Sequence, residues 1–151
     1  MTHGLRLAGR TALVTGGGRG IGRETALVMA AAGAAVMITD IDGDKATDAA
    51  AAIRDNGGDA HAFTADVSDA EAVDRLFAAT AEQFSGRLDI LVANAGVPHH
   101  QAFLDMPLEE WDRVLKTNLT SVFLCAQRAA RVMATHKYGR IITLGSISGQ
   151  R

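Results

Sequence analysis

Val14-Thr15-Gly16-Gly17-Gly18-Arg19-Gly20-Ile21-Gly22 is the stretch on which the reading of this chain turns. A β-branched run, 11–15, precedes it, and an Ala-rich segment with helical character follows. Glycines at 16, 17, 18, 20 and 22 strip the connection of side chains. A backbone bared in this way can approach a phosphate closely. The first turn of the helix then offers unpaired N–H groups and the positive end of its dipole. A merely tight turn would not need so many glycines between one strand and one helix. The G-x-G-x-x-G spacing fails here, because Gly16 and Gly18 would call for glycine at 21, which is Ile21. A nucleoside-triphosphatase loop is also disfavoured. Its glycine spacing is met from Gly17 to Gly22, but Arg23 and Glu24 stand where lysine and a hydroxyl residue are required.

Outward from the loop, short apolar runs alternate with longer helical segments. Strands are expected at 11–15, 35–39, 60–66, 88–94 and 140–145. Helices are expected from Gly20 to about Ala32, over 45–55, from Asp69 to about Phe84, and from about Pro107 to Ala134. Ser68 with Glu71 reads as a capping box for the third helix. Strands separated by helices imply βαβ units and a parallel sheet. The runs Leu13-Val14, Val36 to Ile38 and Ile90 to Val92 suit strands covered on both faces. In the long helix, Leu115, Leu119, Phe123, Ala126, Ala130 and Met133 follow the helical period, which places Asn118 at the border of a buried stripe.

Asp40 closes the second strand at about the ~20-residue spacing at which a carboxylate takes up ribose hydroxyls. It would repel a 2′-phosphate, and Ile41-Asp42 bring no cation directly after it, so NAD is favoured over NADP. Arg19 is the opposing signal, because it could reach a phosphate.

Composition narrows the class. The chain has 151 residues, 48% hydrophobic and 21% charged, as in a folded domain and not a disordered one. A net charge of −2 gives no reason to expect nucleic acid or an anionic membrane as partner. No uncharged stretch exceeds 15 residues, short of the ~20 of a spanning helix, and the one at 25–39 is divided by Gly33. No segment has the pattern of a signal peptide, and the lone Cys125 fits a reducing compartment; a cytoplasmic protein is expected.

Taken together, these residues resemble the short-chain dehydrogenase/reductase family. Thr15, Gly16, Gly20, Ile21 and Gly22 match its glycine motif. Asp66-Val67 resembles its adenine-contacting pair, and Asn94-Ala95-Gly96 its motif after the fourth strand. Trp111 and the run 116–123 resemble its long-helix signature, with Asn118 at the position of the catalytic asparagine that helps hold a proton-relay water. The run 141–149 resembles its fifth strand, with Ser146 at the position of the catalytic serine. The resemblance implies a Rossmann-type, doubly wound α/β fold with strand order 3-2-1-4-5 and strand five at an exposed edge. It implies a single dinucleotide-binding domain over 1–151, lacking the last strands of the family fold. It also implies cofactor binding by Gly16, Arg19, Gly20, Ile21, Gly22, Asp40, Asp66, Val67, Asn94, Ala95 and Gly96, hydride transfer with a small alcohol or ketone, and homo-oligomers through the long helix.

Several readings stay open at this level. Asn118 could instead fill a helix kink. Ser148 competes with Ser146 but reads better as a turn or helix cap. His99-His100 lack a companion at metal-ligand spacing and suit a solvated or substrate-facing loop, so no metal site is expected. Cys125 reads as packed. Tyr138 falls at the amino edge of the sheet, the wrong end for chemistry. The family's Tyr-x-x-x-Lys belongs on the helix after strand five, and only 147–151 follow Ser146, so the chain alone is expected to be inactive. A non-catalytic NAD-binding module is the alternative. A flavodoxin-like binder is disfavoured by the glycine loop and Asp40.

Overall fold

Apolar residues on both sides of each central strand demand cover on both faces, and the fold supplies it. The computed structural model describes residues 7–99 and 102–146. The elements are β1 (Thr11–Thr15), α1 (Gly20–Ala31), β2 (Ala35–Asp40), α2 (Gly43–Asp55), β3 (Asp59–Thr64), α3 (Ala70–Gln83), β4 (Ile90–Ala93), α4 (Leu108–Leu115), a π-helical segment (Lys116–Thr120), α5 (Ser121–Thr135) and β5 (Arg140–Thr143). The strands form one parallel, five-stranded sheet in the order β3-β2-β1-β4-β5. This is the expected Rossmann-type order, with the strand order reversing between β1 and β4.

Strand alternation sorts the core into two layers. Ala12, Val14, Val36 and Ile38 pack with Ala26 and Met29 of α1 and Ala49 and Ile53 of α2. Leu13, Met37 and Leu91 pack with Val73 and Leu76 of α3 and Leu124 and Ala129 of α5. Each fully buried Leu, Val or Ile contributes about 1.5–3 kcal/mol of burial free energy. A 2.8 Å ion pair from Arg128 to Asp74 joins α5 to α3 over the second layer. β5 is the edge strand, and all four of its residues are exposed.

Some boundaries differ from the sequence reading, each for a local reason. α2 starts at Gly43 and not at 45, because the Asp42 side chain caps it by accepting from the Lys45 amide. Asp69, not Ser68, caps α3. Its carboxylate accepts from the amides of Glu71 and Ala72, while the Ser68 amide is turned back to Asp66 Oδ1. β3 ends at Thr64, where its register partner Asp40 ends β2. β4 is confined to Ile90–Ala93.

The largest correction concerns the long helix. It is broken by the π turn, and Leu115, Leu119 and Phe123 are exposed instead of buried. The buried face of α5 is Ser121, Leu124, Cys125, Ala129 and Met133. A π turn inserts one residue and rotates everything beyond it by roughly 100°. A stripe counted at constant period across 116–120 therefore misplaces Phe123 beyond the turn, whereas Met133 is buried as expected and Leu115 lies before the turn on α4, which has no buried residue.

Candidate functional site

The carboxyl ends of the strands open into a cleft of about 630 Å³. Its floor is the glycine loop. Gly16 and Gly20 adopt φ of +61° and +55°, which side chains resist. A Cβ at Gly16 would lie 2.9 Å from the Ala95 Cα, so glycine is also what lets β1 and β4 converge. Arg19 is the extended N-cap of α1, with no side-chain cap and no acidic residue in the first turn. The first amides of α1 and its positive dipole end are thus left without a protein carboxylate.

Asp40 anchors the loop to β2. Its Oδ2 accepts from the Gly18 amide at 3.0 Å and its Oδ1 from the Asp42 amide at 3.1 Å. The Gly17 amide bonds the Thr39 carbonyl at 3.0 Å. The Thr39 side chain is fully buried, and its hydroxyl has no hydrogen-bond partner among the described residues. Asp66 lies after β3, where Oδ1 accepts from the Ser68 amide; Val67 beside it is buried.

Asn94 ties β4 to the loop. Its Nδ2 donates to the carbonyls of Thr15 (3.0 Å) and Gly16 (2.9 Å). Thr15 completes the tie, because its buried Oγ1 accepts from the amides of Asn94 and Ala95, both at 3.1 Å. Sequence reasoning missed this role of Thr15. The available signal was a hydroxyl closing an otherwise apolar strand immediately before a glycine.

Asn118, read from sequence as bordering a buried stripe, sits in the π turn and is exposed. Its amide still finds partners on both sides. Oδ1 accepts from the Val97 amide at 2.8 Å, and Nδ2 donates to the Val97 carbonyl at 2.9 Å. Farther out, Glu110 accepts from Arg113 and meets His99 Nδ1 at 3.2 Å. Arg113 first, and His99 second, hold the Glu110 carboxyl down at about 2. Ser146 follows β5 at the same edge of the sheet as Asn94 and is exposed.

Of the residues singled out from sequence, Gly16, Arg19, Gly20, Asp40, Asp66, Val67, Asn94, Ala95 and Gly96 line the cleft; Ile21, Gly22, Asn118 and Ser146 do not. Ile21 is exposed. Gly22 lies underneath, packed against the Gly16 carbonyl and the Asn94 amide. The cleft also takes Thr39, Val97, Arg113, Lys116 and Thr117, which sequence reasoning did not name. His100 and Ser148 lie outside the described residues. Cys125 is 1% exposed, and burial pushes its thiol up to about 11. Tyr138 stands at the opposite edge of the sheet, with the Arg10 guanidinium 4.0 Å above its ring. No group of His, Cys, Asp and Glu able to hold a metal occurs among the described residues, and none of their helices is long and apolar enough to cross a membrane.

The parallel order, the reversal between β1 and β4 and the glycine-floored cleft at that point define a Rossmann-type α/β protein. More narrowly, the chain belongs to the short-chain dehydrogenase family, whose model matches residues 10–151. It is 44% identical over 144 residues to a 3-oxoacyl-[acyl-carrier-protein] reductase of Synechocystis sp., covering 95% of this chain and 58% of that protein. The crystal structure of a short-chain type dehydrogenase/reductase from Mycobacterium marinum superposes with a TM-score of 0.93 at 41% identity, covering 97% of this chain and 60% of the other. A 7α-hydroxysteroid dehydrogenase complexed with NADH and 7-oxo glycochenodeoxycholic acid matches with a TM-score of 0.93 at 35% identity, over 97% of this chain and 57% of its own. The chain therefore spans a little under three fifths of the length of its first relatives.

Proposed function

We propose that this chain binds NAD in its cleft and forms the dinucleotide-binding portion of an oxidoreductase acting on a secondary alcohol or ketone. The observation that carries the reading is Asp40, fixed by the Gly18 and Asp42 amides beside the glycine loop. A carboxylate held there accepts from both ribose hydroxyls and repels a 2′-phosphate. The cleft suits a dinucleotide in other respects. Of the loop residues 16–20 only Arg19 carries a side chain, which leaves backbone open to a pyrophosphate, and the amides of the first turn of α1 face no competing carboxylate. The orphaned Thr39 hydroxyl in the cleft lining is the kind of buried polar group that a ligand or an ordered water accounts for.

In this reading Gly16, Arg19, Gly20, Ile21 and Gly22 serve the pyrophosphate, Asp40 the ribose, Asp66 and Val67 the base, and Asn94, Ala95 and Gly96 the inner wall. NAD, when bound, accepts or returns the hydride. Ser146 orients the substrate oxygen. Asn118 fixes the Val97 loop and holds the water through which a proton leaves. The 151 residues contain no Tyr-x-x-x-Lys, so a polypeptide of this length binds without turning over. The second reading is a non-catalytic NAD-binding module. A reading frame that continues past codon 151 into Tyr-x-x-x-Lys supports the enzyme; a stop codon supports the module.

A small molecule, not a nucleic acid or a membrane, is the partner proposed for the cleft, and the cytoplasm the compartment. The exposed row Trp111, Leu115, Leu119 and Phe123 supports self-association through the long helix. Calorimetric titration tests the cofactor: NAD is expected to bind at least tenfold more tightly than NADP, on the order of the coupling expected for one close charge pair. Equal affinity, or a preference for NADP, overturns the assignment.

A further inference from the structure

Arg113 occupies the cleft wall built by α4 and the π turn, together with Lys116 and Thr117. Its guanidinium is clamped along one edge. Nε donates to Glu110 Oε2 at 2.7 Å and Nη2 to Glu110 Oε1 at 2.6 Å, with Nη2 also 3.4 Å from the Pro98 carbonyl. Glu110 is itself braced by His99. This two-point fork fixes the guanidinium plane and removes most of the rotamer freedom that an exposed arginine would otherwise lose on binding. No hydrogen bond engages Nη1 among the described residues, and the side chain is still 45% exposed.

The same cleft presents Ile41, Ala65, Val67 and Ala95. Ile41 is 70% exposed, an apolar side chain with nothing yet to cover. Apolar residues lining the same cleft as a planar, pre-fixed cation offer a place for a flat aromatic group. An anion is the poorer fit at this end, because Asp40 and Asp66 line it, whereas the glycine loop and Arg19 serve negative charge elsewhere.

We propose that Arg113 is a base-recognising residue, its guanidinium held by Glu110 so that it stacks on the purine of the bound dinucleotide across from Ile41 and Val67. The proposal rests on the NAD-binding reading and adds a residue and a contact to it. Guanidinium stacking on an aromatic face is strongest where both partners are partly desolvated, as they are inside a cleft.

The test compares NADH and AMP binding by the 151-residue chain and its R113A, R113K and E110Q variants, using NADH fluorescence and calorimetry, with thermal unfolding as the structural control. R113A is expected to weaken both ligands about five- to tenfold while leaving the melting temperature nearly unchanged. R113K restores less than half of the loss, because an ammonium has no planar face to stack. E110Q keeps the cation but loosens the clamp, and weakens both ligands about two- to threefold. R113A affinity for AMP equal to that of the parent chain overturns the proposal. So does a loss on NADH without a loss on AMP, which would place the contact at the other end of the cofactor. If the parent chain binds neither ligand, the NAD-binding reading falls together with this one. If it binds both and R113A binds them equally well, only this one falls.

Discussion

Asn94 Nδ2 occupies the space in which a side chain on Gly22 would begin, and from there it bonds the carbonyls of Thr15 and Gly16. One amide thus depends on the absence of one methyl group. A Cβ at Gly22 would press on both the Asn94 nitrogen and the Gly16 carbonyl oxygen, which is backbone and cannot rotate away.

The first prediction follows from this pair. Gly22→Ala is expected to destabilise the chain by about 1–3 kcal/mol through overpacking. Asn94→Ala, which removes the donor to both carbonyls, is expected to cost about as much. Because the two act on the same space, the double variant should lose less than the sum. Urea unfolding of the three variants measures this; strict additivity would refute the coupling.

Asp40 predicts cofactor choice. Removing its carboxylate in Asp40→Ala is expected to raise NADP affinity and lower NAD affinity, shifting the ratio by about tenfold or more. The Gly18 amide loses its acceptor in the same change, so a drop of about 1 kcal/mol in stability should accompany the switch. Parallel calorimetry with both cofactors reads the first effect, and thermal unfolding the second.

At the amino edge, Asp89 is 2% exposed and is held by Arg87 (2.9 Å), Arg10 (3.1 Å) and the Thr11 amide (3.0 Å). Burial pushes its carboxyl up, but the hydrogen bonds from Arg87, Thr11 and Arg10 together outweigh it and hold the carboxyl below the ordinary range. A depressed folded value favours the ionised form. Its contribution is therefore complete above the unfolded carboxylate value of about 3.9 and is lost as pH falls through the folded value. Asp89→Asn is expected to cost about 2 kcal/mol at pH 7, discounted because both arginines are partly exposed, and the gap between variant and parent should narrow towards pH 3. A gap independent of pH would contradict this account.

Cys125 should be silent in the native chain. A thiol pushed up to about 11 and almost fully buried carries negligible thiolate near neutrality. Ellman's reagent at pH 8 is expected to modify it only as fast as the protein opens, and at once in 6 M guanidinium. Rapid stoichiometric labelling under native conditions would show that α5 does not protect it.

The exposed row on the long helix gives one more test. Leu119→Lys with Phe123→Lys removes two large apolar groups from the face proposed for self-association. Sedimentation velocity is expected to show a lower association state for the double variant than for the parent, at unchanged helix content. Identical sedimentation would remove the support that this face lends to oligomer formation.

How far these features were legible in the sequence depended on the range of the forces behind them. Strand and helix order, the glycine loop and Asp40 follow from local propensity, period and spacing, all of which are written along the chain. Helix caps were read one residue off at Asp69, because Ser68 and Asp69 are both good caps and only the turn at Asp66 decides between them. The π turn was foreshadowed only by the alternative that Asn118 fills a helix kink, since its sequence, Lys116 to Thr120, carries no breaker. It is held by what Asn118 reaches across space, the two backbone groups of Val97.

The sequence by itself determined the alternation of strands and helices, the bare glycine loop and the carboxylate at the end of β2. Each is a property of neighbours in the chain. Only the tertiary structure decided that Thr15 and Asn94 would lock the loop to β4, that Leu119 and Phe123 would face outward, and that Arg113 would arrive at the cleft already clamped by Glu110. Those outcomes rest on contacts between distant segments and on a one-residue change of helical phase, and no local pattern encodes either.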